Sequence, residues 1–217
     1  MVTRLILAST SPARLKVLRD GGIEPIAIAP EVDEDAVEAR AIAAGLISST
    51  ADVVRILAKA KAEAVAGRPE ARGALVLGCD SQLDFEGESL GKPHQPEVAL
   101  ERWRKLRGNS GRLFSGHWLI DNRNLSGSDN PLPPATGVVS STLVHFADLS
   151  DQEIEDYVAT GEPLKVAGAF TIDGLGGAFL RGIEGDAHTV IGLSLASLRE
   201  MSNQLGVPYT SLWNRVS

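Results

Sequence analysis

The chain has 217 residues and a formal net charge of -7, from 21 Lys and Arg against 28 Asp and Glu. A surface that neutralises nucleic-acid phosphates carries a basic excess, so this balance argues against a general nucleic-acid binder. Its 43% hydrophobic, 23% charged and 5% aromatic residues match an ordinary globular protein, neither disordered nor fibrous, and residues 1–217 are enough to bury a core as one domain.

Arg4 to Ala8 reads as a buried strand. It leads through Ser9, Thr10 and Ser11 into a helix over Pro12 to Asp20, with Leu15 and Leu18 on one face and Gly21-Gly22 closing it. Ile23 to Ala29 reads as the next strand and runs into PEVDED, Pro30 to Asp35, whose carboxylates are too dense for a strand interior. The Ala/Gly/Ser region that follows has no assigned element. Thr50 is the expected N-cap of a long helix over Ala51 to Ala66, where Val54, Leu57, Ala58 and Val65 lie near helical spacing.

ALVLGCDSQL gives a strand over Ala74 to Leu77 that delivers Gly78, Cys79 and Asp80 at its end, followed by a hairpin through FEGES. A helix over Glu97 to Leu106 stops near Gly108. Gly111 to Ile120 and Thr136 to Phe146 read as long antiparallel strands, joined by a polar, turn-rich surface loop over Asp121 to Ala135. Ser150-x-x-Glu153 is a capping pattern that opens a helix to Thr160. The glycine-punctuated stretch from Ala167 to Asp186 reads as β structure, and a helix over Leu195 to Leu205 follows. Strands alternating with helices, plus one antiparallel pair, predict an α/β fold with a mixed sheet.

The first strand-to-helix turn has the makings of an anion site. A helix start offers unpaired N–H groups and about half a positive charge, and Pro12 suits a first turn because its missing N–H is not needed there. The hydroxyls of Ser9 and Ser11 with Arg14 complete a phosphate grip; the same pattern also describes an ordinary N-cap at Ser11 with Arg14 in solvent. Glu31, Asp33 and Glu34 form an acidic turn, and Asp80 sits where open α/β sheets place ligands. Carboxylates beside a phosphate site suit Mg²⁺, which shares oxygen ligands with substrate phosphates. Lys92, held between Gly91 and Pro93, is a candidate polyphosphate partner, whereas Lys61 on its helix equally reads as a solvated face.

Other chemistries find no support. The chain lacks a Walker loop, a G-x-S-x-G elbow, H-E-x-x-H and a thiol pair, and its four histidines are scattered. Cys79 has no intramolecular disulfide partner. Apolar runs fall short of the roughly 18 to 20 residues that span a bilayer, and the run after Arg4 is too short for a signal h-region. A cytoplasmic protein is expected.

Taken in order, LILASTSPARLKVL, PEVDED, AKAKA, LGCDSQL, LGKP, LRGNSGRLFSGHWLI, YVATGEPLKVAGAF and IEGDAHTVIGLSL resemble the Maf family of nucleotide pyrophosphatases along nearly the whole chain. The resemblance implies an inosine-triphosphatase-like fold, elongated and two-lobed around a cleft, and commonly a homodimer. It also implies hydrolysis of a nucleoside triphosphate to the monophosphate and pyrophosphate with a divalent metal, Mg²⁺ or Mn²⁺. By that resemblance Ser9 and Arg14 fall on the phosphate-gripping element, Asp33 and Glu34 on the acidic pair, and Lys61 on the helix lysine. Asp80 falls on the proton acceptor, and Lys92 on the lysine of the KP motif; Asp33, Glu34 and Asp80 are the residues expected to hold the metal.

The base-selecting positions of the family fall on Ala13, Ser81 and Asp173, which match neither the thymidine/uridine branch (Arg, Thr, Gln) nor the 7-methylguanosine branch (Trp, Gln, Glu). A broad nucleotide preference is the expectation. A nucleotide-responsive regulator of cell division acting through a protein partner is the alternative. The acidic and basic set, retained whole, favours the enzyme.

Overall fold

A computed structural model describes residues 2–123 and 133–215. Its centre is a seven-stranded mixed sheet: β1 (Leu5–Ala8), β2 (Ile26–Ala27), β3 (Leu75–Phe85), β4 (Glu88–Leu90), β5 (Ser110–Asp121), β6 (Ala135–Phe146) and β7 (Leu180–Glu184). The spatial order is β2-β1-β3-β5-β6-β7, with β4 paired to β3. β1 runs parallel to both β2 and β3, and the remaining pairs are antiparallel. The helices are α1 (Pro12–Asp20), α2 (Glu34–Ala43), α3 (Thr50–Ala66), α4 (Pro96–Leu106), α5 (Asp151–Ala159), α6 (Ala187–Ile191) and α7 (Leu195–Gln204). The predicted α/β class with a mixed sheet is what the chain adopts.

Strand alternation sorts the core. Leu5, Leu7, Leu75, Leu77, Cys79 and Leu119 point to the side covered by α1 and α7, where they meet Val17, Leu18, Leu198 and Met201. Ile6, Ala8, Val76 and Ile120 point the other way, onto Ala62 and Val65 of α3. Because both faces are covered, β1 and the first half of β3 read as unbroken apolar runs. At the far end of the sheet a third core gathers Leu83, Leu113, Val144 and Phe146 around Trp103 of α4 and Ile154 and Tyr157 of α5.

Two glycines let α3 lie against the sheet backbone. A Cβ on Gly78 would sit 2.1 Å from the Ala58 carbonyl oxygen, and one on Gly116 would sit 2.2 Å from that of Val54. Ala58 and Ala62, one turn apart, supply the matching smooth helix face.

Several predicted boundaries move. Gly78-Cys79-Asp80 does not end a strand: β3 continues to Phe85, so Asp80 is mid-strand and Gly78 serves helix packing rather than a turn. The N-cap of α3 is Ser49, whose Oγ accepts from the Asp52 N–H at 3.3 Å; Thr50 is the first helical residue and its hydroxyl donates to Asp84 at 2.7 Å. The strand expected over Ile23–Ala29 is only Ile26–Ala27. The acidic stretch, expected as a turn, instead opens α2, because the Asp33 carboxylate caps Ala36 N–H at 3.0 Å; the helix runs on into the Ala/Gly/Ser region that had no assigned element. The Ala167–Asp186 stretch is mostly short 3-10 turns with one strand, β7. The FEGES hairpin forms, with Glu86 and Gly87 both at positive φ as a tight turn requires, and the Ser150–Glu153 capping box closes in both directions. Of the surface loop expected over Asp121–Ala135, residues 124–132 lie outside the described residues, Asp121 ends β5 and Ala135 begins β6.

Candidate active site

The site lies where one edge of β3 loses its neighbour. β5 pairs with β3 from Leu75 to Asp84 on one side; on the other, β1 covers Leu75–Gly78 and β4 covers Leu83–Phe85. Among the described residues, 79–82 therefore have no strand partner on that edge. β1 ends at Ala8 beside this gap, and the chain turns there through Ser9 into α1. The carboxyl end of a parallel strand, at a helix start, is where open α/β sheets place ligands.

Alternation along β3 gives the gap two chemically different flanks. On the α3 side stands Asp80, 6% exposed, with its Oδ1 accepting from Lys61 Nζ at 2.7 Å; Lys61 is also 6% exposed. The same ammonium meets Glu34 Oε1 at 3.0 Å, so α2, α3 and β3 converge on one lysine. Asp80 Oδ2 is buried without a hydrogen-bond partner among the described residues. Glu38, one turn beyond Glu34, joins this group: burial raises its pKa, and the charges of Asp35, Asp80 and Glu34 add to the effect. Sequence reading missed Glu38 because α2 was not foreseen; its spacing of four from Glu34 is the signal once the helix is known.

On the opposite flank stand Cys79 and Ser81. Ser11 N-caps α1 through the Arg14 N–H at 3.4 Å, and the buried Ser9 hydroxyl accepts from Ser11 N–H at 3.2 Å. Arg14 reaches over this turn to the Cys79 carbonyl at 2.9 Å and to Ser81 Oγ at 3.1 Å. Ala13 is half-buried on the same first turn. Ser9, Ser11, Arg14, Ser81, Lys61, Asp80 and Glu34 are thus brought together around residues 79–81. Burial pushes the Cys79 thiol up to about 11, which leaves it an inert core residue.

Three predicted residues stand further out. Asp33 is exposed and spends one carboxylate oxygen on the α2 cap. Lys92 is exposed and makes no ion pair among the described residues; its turn is braced by Arg102, which donates to the Gly91 carbonyl at 2.5 Å. Asp173 is exposed on a turn built around Glu162, whose carboxylate accepts from Tyr157 at 2.9 Å, Thr171 at 2.5 Å, and the N–H groups of Leu175 and Gly176 at 3.0 Å. Asp173 is near enough to α1 to reinforce Asp20 in raising the pKa of Lys16. No group of three or more acidic, His or Cys side chains is placed to hold a metal among the described residues, so Asp33, Glu34 and Asp80 do not form a ready three-carboxylate nest.

The same flank holds a polar stripe that sequence reading passed over. Ser81 and Ser115 are cross-strand partners with hydroxyls 2.8 Å apart, and the buried His117 accepts from Ser194 N–H through Nε2 at 2.9 Å. Burial, with the charge of Arg14 adding, pushes His117 down to about 4, so the ring is neutral. The period-two placement of Ser115 and His117 in FSGHW was the available signal.

The Maf-like protein family model matches residues 4–205. A nucleoside triphosphate pyrophosphatase of Leifsonia xyli subsp. xyli is 53% identical, covering 98% of this chain and 97% of that one. The chain belongs to the Maf family. Two more proteins with that name, from Streptomyces avermitilis and Salinispora tropica, are 45% and 48% identical over 97% and 98% of this chain and 94% and 88% of theirs. Among solved structures, the Staphylococcus aureus Ham1 protein aligns with 94% of this chain and 93% of that one at 15% identity, with a TM-score of 0.42. None of the described helices is long and apolar enough to cross a membrane.

Proposed function

We propose that this Maf protein is a nucleoside triphosphate pyrophosphatase that hydrolyses the α–β phosphoanhydride of nucleoside triphosphates, modified ones included, to the monophosphate and pyrophosphate. The observation that carries the proposal is the buried Lys61–Asp80 pair at the gap in β3, directly beside the start of α1. Full-length relatives named for that activity support it.

Attack at phosphorus needs positioning and charge neutralisation more than covalent help from the protein. Arg14, Lys61, Lys92 and the N–H groups at the start of α1 supply positive potential for the phosphates, with the hydroxyls of Ser9 and Ser11 beside them. Asp80 is the proton acceptor that orients and deprotonates the attacking water, and its unpartnered Oδ2 is the free acceptor for that step. Ala13, Ser81 and Asp173 border the nucleoside end, and their small or acidic side chains leave base choice broad.

The carboxylates fit a hard divalent cation. The carboxylates of Glu34 and Asp80 share the one lysine, an oxygen-donor set of net negative charge. Asp80, Glu34 and Asp33 are the residues we assign to hold Mg²⁺ or Mn²⁺. Such an ion, when bound, neutralises phosphate oxygens and acidifies a coordinated water. The proposal extends to two lobes of one domain facing each other across a cleft at this gap, and to a cytoplasmic homodimer.

The test is product analysis across natural and modified triphosphates, with Mg²⁺, with Mn²⁺ and with a chelator. Monophosphate and pyrophosphate in equal amounts, lost on chelation, are expected over several bases. Orthophosphate as the product refutes the bond assignment, turnover in chelator refutes the metal, and one nucleotide favoured more than about a hundredfold refutes breadth.

A further inference from the structure

Arg14 is spent largely inside the protein. Nε donates to the Gly192 carbonyl at 2.9 Å, Nη1 to the Cys79 carbonyl at 2.9 Å and to Ser9 Oγ at 3.3 Å, and Nη2 to Ser81 Oγ at 3.1 Å. A guanidinium has five N–H groups. These four bonds leave a single Nη2 hydrogen uncommitted among the described residues.

The seat depends on residue 192 being glycine. It takes φ 108°, in the left-handed region, and a Cβ there would lie 3.0 Å from Ser81 Oγ and 3.3 Å from Arg14 Nε. Gly192 is itself clamped from the sheet on both sides. Upstream, the buried Ser115 hydroxyl donates to the Thr189 carbonyl at 2.8 Å. Since that uses the only proton on Ser115, its 2.8 Å contact with Ser81 runs from Ser81 to Ser115. Ser81 is left to accept from Arg14, and the bonds point one way: Arg14 to Ser81 to Ser115 to the Thr189 carbonyl. Thr189 also donates to Asp186 Oδ2 at 3.0 Å, and Thr142 donates to the Asp186 carbonyl at 2.9 Å. Downstream, Ser194 N–H is tied to His117.

We propose that Gly192, with Ser115 and His117 behind it, is a positioning device that aims Arg14. The guanidinium does not clasp the triphosphate with its fork. It is held by the protein, keeps the Cys79–Ser81 backbone in place beside Asp80, and offers the substrate its charge and one N–H. The proposal rests on the pyrophosphatase function given above. It explains why a hydroxyl chain and a neutral histidine, neither of them hydrogen-bonded to Lys61 or Glu34, are buried under the site.

The experiment uses the full chain with Gly192→Ala, Ser115→Ala, Arg14→Lys and the double variant R14K/G192A. Gly192→Ala is expected to lower kcat at least about tenfold with KM changed less than about threefold, because the aim of a charge is lost rather than the charge itself. Ser115→Ala shows the same split at about three- to tenfold. R14K/G192A is no slower than R14K alone, since both remove one device. The side-chain Nε–H resonance of Arg14 exchanges slowly with solvent in the wild-type protein and rapidly in Gly192→Ala. Wild-type kcat in Gly192→Ala, effects that multiply with R14K, or an unchanged Nε–H resonance would overturn the proposal. If Gly192→Ala does not fold, Ser115→Ala carries the same kinetic and exchange readouts. A wild-type protein that releases no pyrophosphate from any triphosphate defeats the enzymatic function alone, and the Nε–H comparison still decides whether Gly192 seats Arg14.

Discussion

Lys61→Met isolates the interaction on which the site is built. Lys61 and Asp80 are each 6% exposed and 2.7 Å apart, and at an effective dielectric of about 20 a pair at that distance attracts by about 6 kcal/mol. Much of this offsets the cost of taking both charges out of water, so the attraction is not net stability. What the variant measures is the cost of leaving Asp80 alone. Its Oδ2 already lacks a partner and Lys61 is the side-chain donor to Oδ1, so without Lys61 neither carboxylate oxygen has a side-chain donor among the described residues. Breaking one side of a buried pair costs about 3–5 kcal/mol, whereas replacing both partners is close to neutral or stabilising. The Glu34 contact adds little, because that side chain is half exposed and screened. Urea unfolding at neutral pH is therefore expected to show Lys61→Met less stable by about 3–5 kcal/mol, with Lys61→Met/Asp80→Asn recovering most of the loss. A single variant within about 1 kcal/mol of wild type, or a double variant no better than the single, refutes the coupling.

Two further outcomes follow from packing and from protonation. Gly78→Ala places a Cβ 2.1 Å from the Ala58 carbonyl oxygen and must lift α3 off the sheet; a loss of at least about 3 kcal/mol in the same unfolding assay is expected, while Gly182→Ala, with nothing within 4 Å, stays within about 0.5 kcal/mol. His117 sits at about 4 in the folded protein against 6.5 unperturbed, so the folded state binds its proton less readily than the unfolded state. Its contribution is complete above pH 6.5 and is lost as pH falls through the interval down to about 4, amounting to about 3 kcal/mol. Comparing wild type with His117→Gln across that interval isolates the histidine; parallel curves contradict the assignment.

The parts of this molecule that are local in sequence were legible there. Ser11 and Pro12 announce the start of α1, Ser150 and Glu153 announce α5, and FEGES announces its hairpin, because each signal is a hydrogen bond or dihedral preference within a few residues. Lys61 could not be told from a solvated lysine by its helix alone. Its burial is decided by Gly78 and Gly116 on two strands remote in sequence, which draw α3 down onto Asp80. The strand is expected to end at Gly78 for the same reason: a glycine that admits a helix and a glycine that ends a strand look alike in a single sequence. The acidic stretch was misjudged because carboxylates disfavoured in a strand are favoured in the first turn of a helix, where Glu34 and Asp35 sit. Arg14 was foreseen at the site, but its partners Gly192 and Cys79 are backbone carbonyls, which leave no mark in a sequence.

The most direct measurement is steady-state pyrophosphate release by Asp80→Asn beside wild type, with nucleotide affinity and circular dichroism recorded on both. Turnover is expected to fall at least about a thousandfold while native circular dichroism and nucleotide binding persist at low temperature; the lost pairing with Lys61 lowers stability, but the amide keeps the shape of the carboxylate and cannot take a proton from water. Unchanged turnover in Asp80→Asn would contradict the account.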